Sequence, residues 1–197
     1  MGTADSLSTL VGSKSLASGR TRESMWSESA FEALFLDHYS RVVAVLVRLV
    51  GERPRAEELA NDVFWRAYRQ HDLVNSKGNV GGWLYRTATN LGIDALRAAG
   101  RRRHYEDAAG RARIECGAAA ADPLGDLLRA ERQQRVRAVL ARLKPGQAQI
   151  LVLRASGLSY QELAEALGVK RGSVGTMLIR AEAEFQRCYL RLHGKER

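Results

Sequence analysis

Only three prolines, two cysteines and 7% aromatic residues occur among the 197 positions. So few prolines, set among long runs rich in Ala, Leu, Glu and Arg, leave little to interrupt helices, and no β-hairpin signal competes with them. Cys116 and Cys188 stand far apart with no CxxC and no paired histidine, so neither a disulfide framework nor a zinc site is expected. That usage fits a reducing cytoplasm. Long apolar runs are missing too: the longest, VVAVLVRLV at 42–50, is broken by Arg48 and falls far short of the roughly 20 residues a bilayer span needs. MGTADSLSTLVGSKS at the start has no sustained apolar core and no basic beginning, so a signal peptide is not expected, nor any membrane contact by the chain itself. Catalytic groupings are absent as well. His38, His71, His104 and His193 are scattered, no GxxxxGK[ST] loop exists, and no Ser or Cys has a local base partner. The expectation is a protein without catalytic residues, metal or cofactor, and not an enzyme.

What is present is apolar content for real cores, 45% of residues, and an excess of 31 Lys and Arg over 22 Asp and Glu. A net charge of +9 favours a polyanionic partner such as nucleic acid. The fold expected is all-α, with two small helical domains joined by a flexible linker. Residues 1–28, rich in Ser, Thr and Gly, read as a disordered tail. Residues 29–104 form the first domain. There a helical period begins at Ser29 with Phe31, Leu34, Phe35, Tyr39, Val42, Val43, Leu46 and Leu49 on one stripe, until Gly51 stops it. Pro54 opens a second helix to about Gln70, and a third follows a polar loop over 71–82. Residues 105–122, mixing Gly, Ala and scattered charge, read as the linker, and 123–197 as the second domain. Both halves carry excess positive charge.

In the second domain, LSYQELAEALGVKRGSVGTMLIRAEAEF has a helix-turn-helix layout. Ser159 caps the first helix with Glu162 completing a capping box, and the turn falls at Gly168. Val174, Leu178, Ala181, Phe185 and Tyr189 then share the inner face of the second helix, leaving Ser173, Thr176, Met177 and Arg180 on the other. In the third helix of the first domain, Leu84, Ala88, Leu91 and Ala95 form the apolar stripe. Trp83, Arg86, Asn90, Asp94, Arg97 and Arg101 project elsewhere. Two readings stand for this face: a single-stranded nucleic-acid site, with bases stacked on Trp83 and phosphates met by arginine, or a Trp83 tucked into the core beside an Asp94–Arg97 helix pair. Arg101, Arg102 and Arg103 favour nucleic acid. On the second helix Ala56, Leu59, Val63 and Ala67 face inward, leaving Glu57, Glu58, Asn61, Asp62, Trp65 and Arg69 outside. An outward Trp among acids suits a protein partner rather than DNA.

Three stretches together resemble bacterial sigma factors of the extracytoplasmic-function (ECF) group, in the sigma-seventy family. AEELANDVFWRAYR (56–69) is similar to region 2.2, and WLYRTATNLGIDALRAAGRRR (83–103) to regions 2.3 and 2.4. LARLKPGQAQILVLRASGLSYQELAEALGV (140–169), running into the reading helix, is similar to region 4. The resemblance implies a protein that binds core RNA polymerase and directs promoter-specific initiation. Glu58, Asn61, Asp62 and Trp65 would dock on the beta-prime clamp helices, with the beta subunit as a further contact. Trp83, Arg86, Asn90 and Asp94, joined by Arg97 and Arg101 to Arg103, would recognise and melt the minus-10 element. Lys170, Arg171, Ser173, Thr176, Met177 and Arg180 would read the minus-35 duplex. An anti-sigma factor is the further partner implied.

The reading helix departs from the family pattern: GSVGTMLIRAE stands where GTVKSRLHRAR is usual, putting Gly175, Met177 and Glu182 at commonly basic positions. A missing side chain at Gly175 would let the helix sit nearer the sugar-phosphate chain, with Lys170, Arg171 and Arg180 on phosphates and Thr176 and Met177 against thymine methyls. Two other readings remain open at this point: a free-standing helix-turn-helix regulator, and, disfavoured by the lack of strand pattern, a recombinase-like enzyme.

Overall fold

The computed structural model describes residues 28–70, 79–108 and 123–194. Among these residues the elements are all helices: α1 (Glu28–Val50), α2 (Arg53–Arg69), α3 (Val80–Ala108), α4 (Pro123–Arg142), α5 (Pro145–Ala155), α6 (Tyr160–Leu167) and α7 (Arg171–His193). The expected tail, Glu28 apart, and residues 71–78 and 109–122 lie outside the described residues. Helix α3 continues to Ala108, four residues into the stretch expected as linker.

Local chemistry sets most of the boundaries. Gly51 takes φ 85°, a left-handed conformation that suits glycine, and its N–H returns to the Val47 carbonyl at 2.8 Å, ending α1. Pro54 sits in the first turn of α2, where its missing N–H costs nothing. At α6 the Glu162 N–H donates to Ser159 Oγ at 3.3 Å and the Ser159 N–H to the Glu162 carboxylate at 2.8 Å, the expected capping box. Gly168, at φ 67°, then closes α6.

Helices α1, α2 and α3 pack together around Leu46, Leu49, Val63 and Leu84, all fully buried. An aromatic group of Phe35, Tyr39 and Phe64 extends this core, with Phe35 4.9 Å from Phe64 between ring centroids. Helices α4 to α7 bury Leu143, Ile150, Leu153, Leu163, Val174 and Leu178. The two sets meet in one continuous core, because α3 packs on α4, α5 and α6 as well as on α1 and α2. That double duty explains why the single stripe expected for α3 is incomplete. Tyr85, Thr89, Ile93 and Leu96 are buried beside Leu84 and Ala88, whereas Leu91 and Ala95 are only half-buried.

One ion pair ties α1 to α6. Arg41 Nη2 donates to Glu162 Oε1 at 2.9 Å while its guanidinium lies 5.3 Å from the Tyr85 ring centroid. The Ser159 backbone N–H, followed by Arg41, draws the Glu162 carboxyl from its ordinary 4.5 down to about 2. A carboxyl depressed in the folded state stabilises fully above its unfolded value and loses that contribution as pH falls from about 4.5 towards 2. Glu162→Gln, which keeps an acceptor for the Ser159 N–H, should therefore flatten the fall of the thermal midpoint between about pH 5 and pH 2. Identical profiles for the two proteins would remove Glu162 from that dependence.

Candidate polymerase and nucleic-acid interfaces

The outer face of α2 is built as a platform. Its inner residues Ala56, Leu59, Ala60, Val63, Phe64 and Ala67 are buried, which turns Glu58, Asn61, Asp62, Trp65 and Arg69 to solvent. Trp65 is 59% exposed. Its ring lies nearly parallel to Tyr68, 6.0 Å away at 15°, and Tyr68 meets Phe31 edge-on at 5.2 Å. The indole is thus backed by aromatic packing while its other side stays open. Arg55 pairs with Glu58 at 2.6 Å and Arg53 with Glu57 at 2.8 Å, orienting two of the carboxylates along the helix.

The α3 face differs from expectation. Trp83 is half-buried and packs against the core, so the tucked reading describes it better than the exposed one. Arg86 Nε donates to the Ala166 carbonyl at 2.6 Å, at the end of α6. Asn90 Oδ1 accepts from Gln149 of α5. Arg97 is not turned to Asp94: its Nε and Nη2 donate to the carbonyls of Ala141 and Leu143, at 3.2 and 2.9 Å, where α4 ends. Asp94, Arg101, Arg102 and Arg103 are exposed. The three arginines border a depression with Arg55, Glu52 and Tyr105. Arg86, Asn90 and Arg97 are therefore each bonded to the α4–α6 half, with Arg86 and Arg97 half-buried and Asn90 still exposed.

The helix-turn-helix is open. Helix α7 packs on α4, α5 and α6 through Val174, Leu178, Ala181 and Cys188, with Phe185 and Tyr189 half-buried. Lys170, Arg171, Ser173, Thr176 and Arg180 are exposed, and Met177 is half-buried. A Cβ built on Gly175 would stand 3.9 Å from Tyr160 Cε2, so Gly175 leaves room beside that ring. Tyr160 is itself 41% exposed, and the Arg154 guanidinium lies 5.4 Å from its centroid. Sequence reasoning passed over Tyr160, although its position directly after the Ser159 cap is a readable signal. Arg41, Asn79, Gln149 and Glu165 were also missed. They tie the two halves together through contacts between distant positions, for which the sequence carries no periodic signal.

A broad groove of about 1180 Å³ runs between α1, α4, α5 and α7. Val43, Val47, Val136, Leu140, Leu151 and Phe185 supply its apolar floor. Six arginines (48, 53, 129, 132, 137 and 154) line it, against Glu182 alone among acids.

Comparison with known proteins matches residues 34–102 to Sigma-70 region 2 and residues 133–185 to Sigma-70, region 4. The ECF RNA polymerase sigma factor SigE of Mycolicibacterium smegmatis is 31% identical over 170 residues, 85% of this chain and 64% of that protein. The RNA polymerase sigma-H factor of Pseudomonas aeruginosa is 31% identical over 160 residues, 77% of this chain and 82% of that protein. In fold, the chain is similar to CnrH, solved in complex with the cytosolic domain of CnrY, with a TM-score of 0.53 and 20% identity over 82% of this chain and 88% of that one. No described helix is long and apolar enough to cross a membrane. With both regions matched in order over most of its length, and with relatives of this kind, the chain belongs to the sigma-70 family of RNA polymerase sigma factors, in its extracytoplasmic-function group, the class that binds core polymerase and directs promoter-specific initiation.

Proposed function

We propose that this sigma factor docks on the beta-prime clamp helices through Glu58, Asn61, Asp62 and Trp65 of α2, and on the beta subunit elsewhere. The α3 face from Trp83 to Arg103 then handles the minus-10 strands, and α7 reads the minus-35 duplex through Lys170, Arg171, Ser173, Thr176, Met177 and Arg180. It acts in the cytoplasm, in four units: an N-terminal tail (1–28), region 2 (29–104), a linker (105–122) and region 4 (123–197). The observation that carries this reading is the exposure of Lys170, Arg171, Ser173, Thr176 and Arg180 at the start of α7 on a chain that also presents the backed Trp65 platform. A free-standing regulator would have no use for that platform. Added to sigma-free core polymerase on promoter fragments, the chain should yield selective transcripts. Asp62→Ala with Trp65→Ala should abolish them, since buried aromatic anchors commonly carry about 2 kcal/mol or more of an interface. Undiminished transcription would remove α2 from the docking face.

An anti-sigma factor is the second partner, and the groove fits an amphipathic helix of that partner with an acidic flank. Its apolar floor would take the helix's nonpolar side, and its arginines the carboxylates. Once an anti-sigma factor is identified by its suppression of those transcripts, Arg129→Glu with Arg132→Glu should restore transcription. Suppression unaffected by the pair would move the docking site elsewhere.

At the reading helix, the room beside Gly175 lets Tyr160 and the α7 backbone approach the duplex together. Gly175→Lys should steepen the salt dependence of duplex binding, adding about one unit to the slope of log affinity against log salt. An unchanged slope would separate Gly175 from the phosphate path.

A further inference from the structure

The corner where α1 gives way to α2 faces the far half of α3 across a depression of about 800 Å³. Its floor is apolar and shallow. Ala95, Ala98 and Ala99 lie three and four residues apart, so three methyl groups share one face of α3. Val50 and the buried Leu96 complete that floor. The rim is basic. Arg101, Arg102 and Arg103 of α3 and Arg55 of α2, all exposed, stand there with Glu52 as the one acid among the described lining residues. Tyr105, 72% exposed, adds an aromatic ring one turn beyond Arg101. The first turn of α2 opens onto the same space. Arg55 belongs to that turn, and Glu52 at its N-cap makes no side-chain bond to it. The positive end of the α2 dipole therefore reaches the depression without a side-chain cap.

Two kinds of chemistry meet here, in a volume typical of small-molecule sites. Four guanidinium groups and a helix start match a ligand with several phosphate oxygens. The alanine floor and the Tyr105 ring match a flat, aromatic group. We infer that this depression binds a nucleoside polyphosphate, with its base on the alanine floor and Tyr105 and its phosphates against Arg55 and the arginines of α3. A strand of DNA passing α3 would use the exposed arginines alone and has no need of a recessed floor or of the start of α2. A base within a strand also carries one phosphate on each side, whereas four guanidinium groups gathered at one rim match a run of phosphates on one ribose. Nucleotide and promoter strand then compete for Arg101 to Arg103, a consequence that rests on the proposed minus-10 role of α3; the site itself does not.

The test titrates the full chain with ATP carrying a fluorescent N-methylanthraniloyl group, at fixed ionic strength. Saturable binding, displaced by unlabelled ATP and about tenfold less well by inorganic triphosphate, is expected. Tyr105→Ala should weaken it about tenfold, and Ala98→Phe, which fills the floor, should abolish it. Glu52→Gln, which removes the one acid of the rim, should tighten it about threefold. Should Ala98→Phe lose helicity, Arg55→Gln takes its place, with a loss of about tenfold. No binding by the parent, or binding that none of these changes moves, overturns the site. Inorganic triphosphate as tight as ATP overturns the nucleotide in favour of a plain anion patch. A ten-nucleotide single strand that displaces the label and loses its own affinity with Ala98→Phe gives the floor to DNA bases and overturns the free nucleotide. In the expected case, ATP at about ten times its dissociation constant weakens single-strand binding by the parent about tenfold and leaves that by Ala98→Phe unchanged. Nucleotide binding by a parent that holds no single strand upholds the site and overturns the minus-10 assignment instead.

Discussion

Guanidinium groups at helix ends hold the two halves of this protein together. A hydrophobic seam alone would be indifferent to small shifts in register, because apolar contact has no preferred direction. Arg86 and Arg97 are directional: each aims N–H groups at particular carbonyls, of Ala166 and of Ala141 and Leu143. Together they set where α6 and α4 lie on α3, and the buried residues of both halves can then merge into one core. Lysine would be a poor replacement at position 97, where one planar group reaches two carbonyls.

The surfaces left outside that seam divide cleanly by chemistry. Helix α2 offers carboxylates around a backed indole, suited to another protein, and α7 with its N-cap Lys170 offers positive charge and small hydroxyls, suited to a duplex. Between the halves, the groove joins an apolar floor to an arginine rim. Helix α3 is the exception, since its polar residues look inward, to the other half, as much as outward.

Legibility followed the range of the interactions. The helix-turn-helix was readable because its signals are local: Ser159 and Glu162 three residues apart, and a glycine where the chain must turn left-handed. The apolar periods of α1 and α2 likewise marked their buried faces. In α3 the period was half-readable, because a helix wedged between two partners buries more than one stripe and blurs the 3.6-residue pattern. Trp83 illustrates the ambiguity. An aromatic ring next to arginine reads equally well as a base platform or as core, and only the packing of Trp83 against the core distinguishes them. Arg86 and Arg97 were singled out as nucleic-acid contacts, but composition could not say that they also bond backbone carbonyls 80 and 44 to 46 positions away. Backbone acceptors carry no sequence signature.

Gly168 has two duties that cannot be tuned apart. Its left-handed backbone ends α6 and sets the angle at which α7 follows, and its bare Cα admits the Arg86 side chain. Any side chain there meets both demands at once: it strains the left-handed turn into α7 and crowds the Arg86 guanidinium, so the join between α6 and α7 and the contact between the two halves change in a single step.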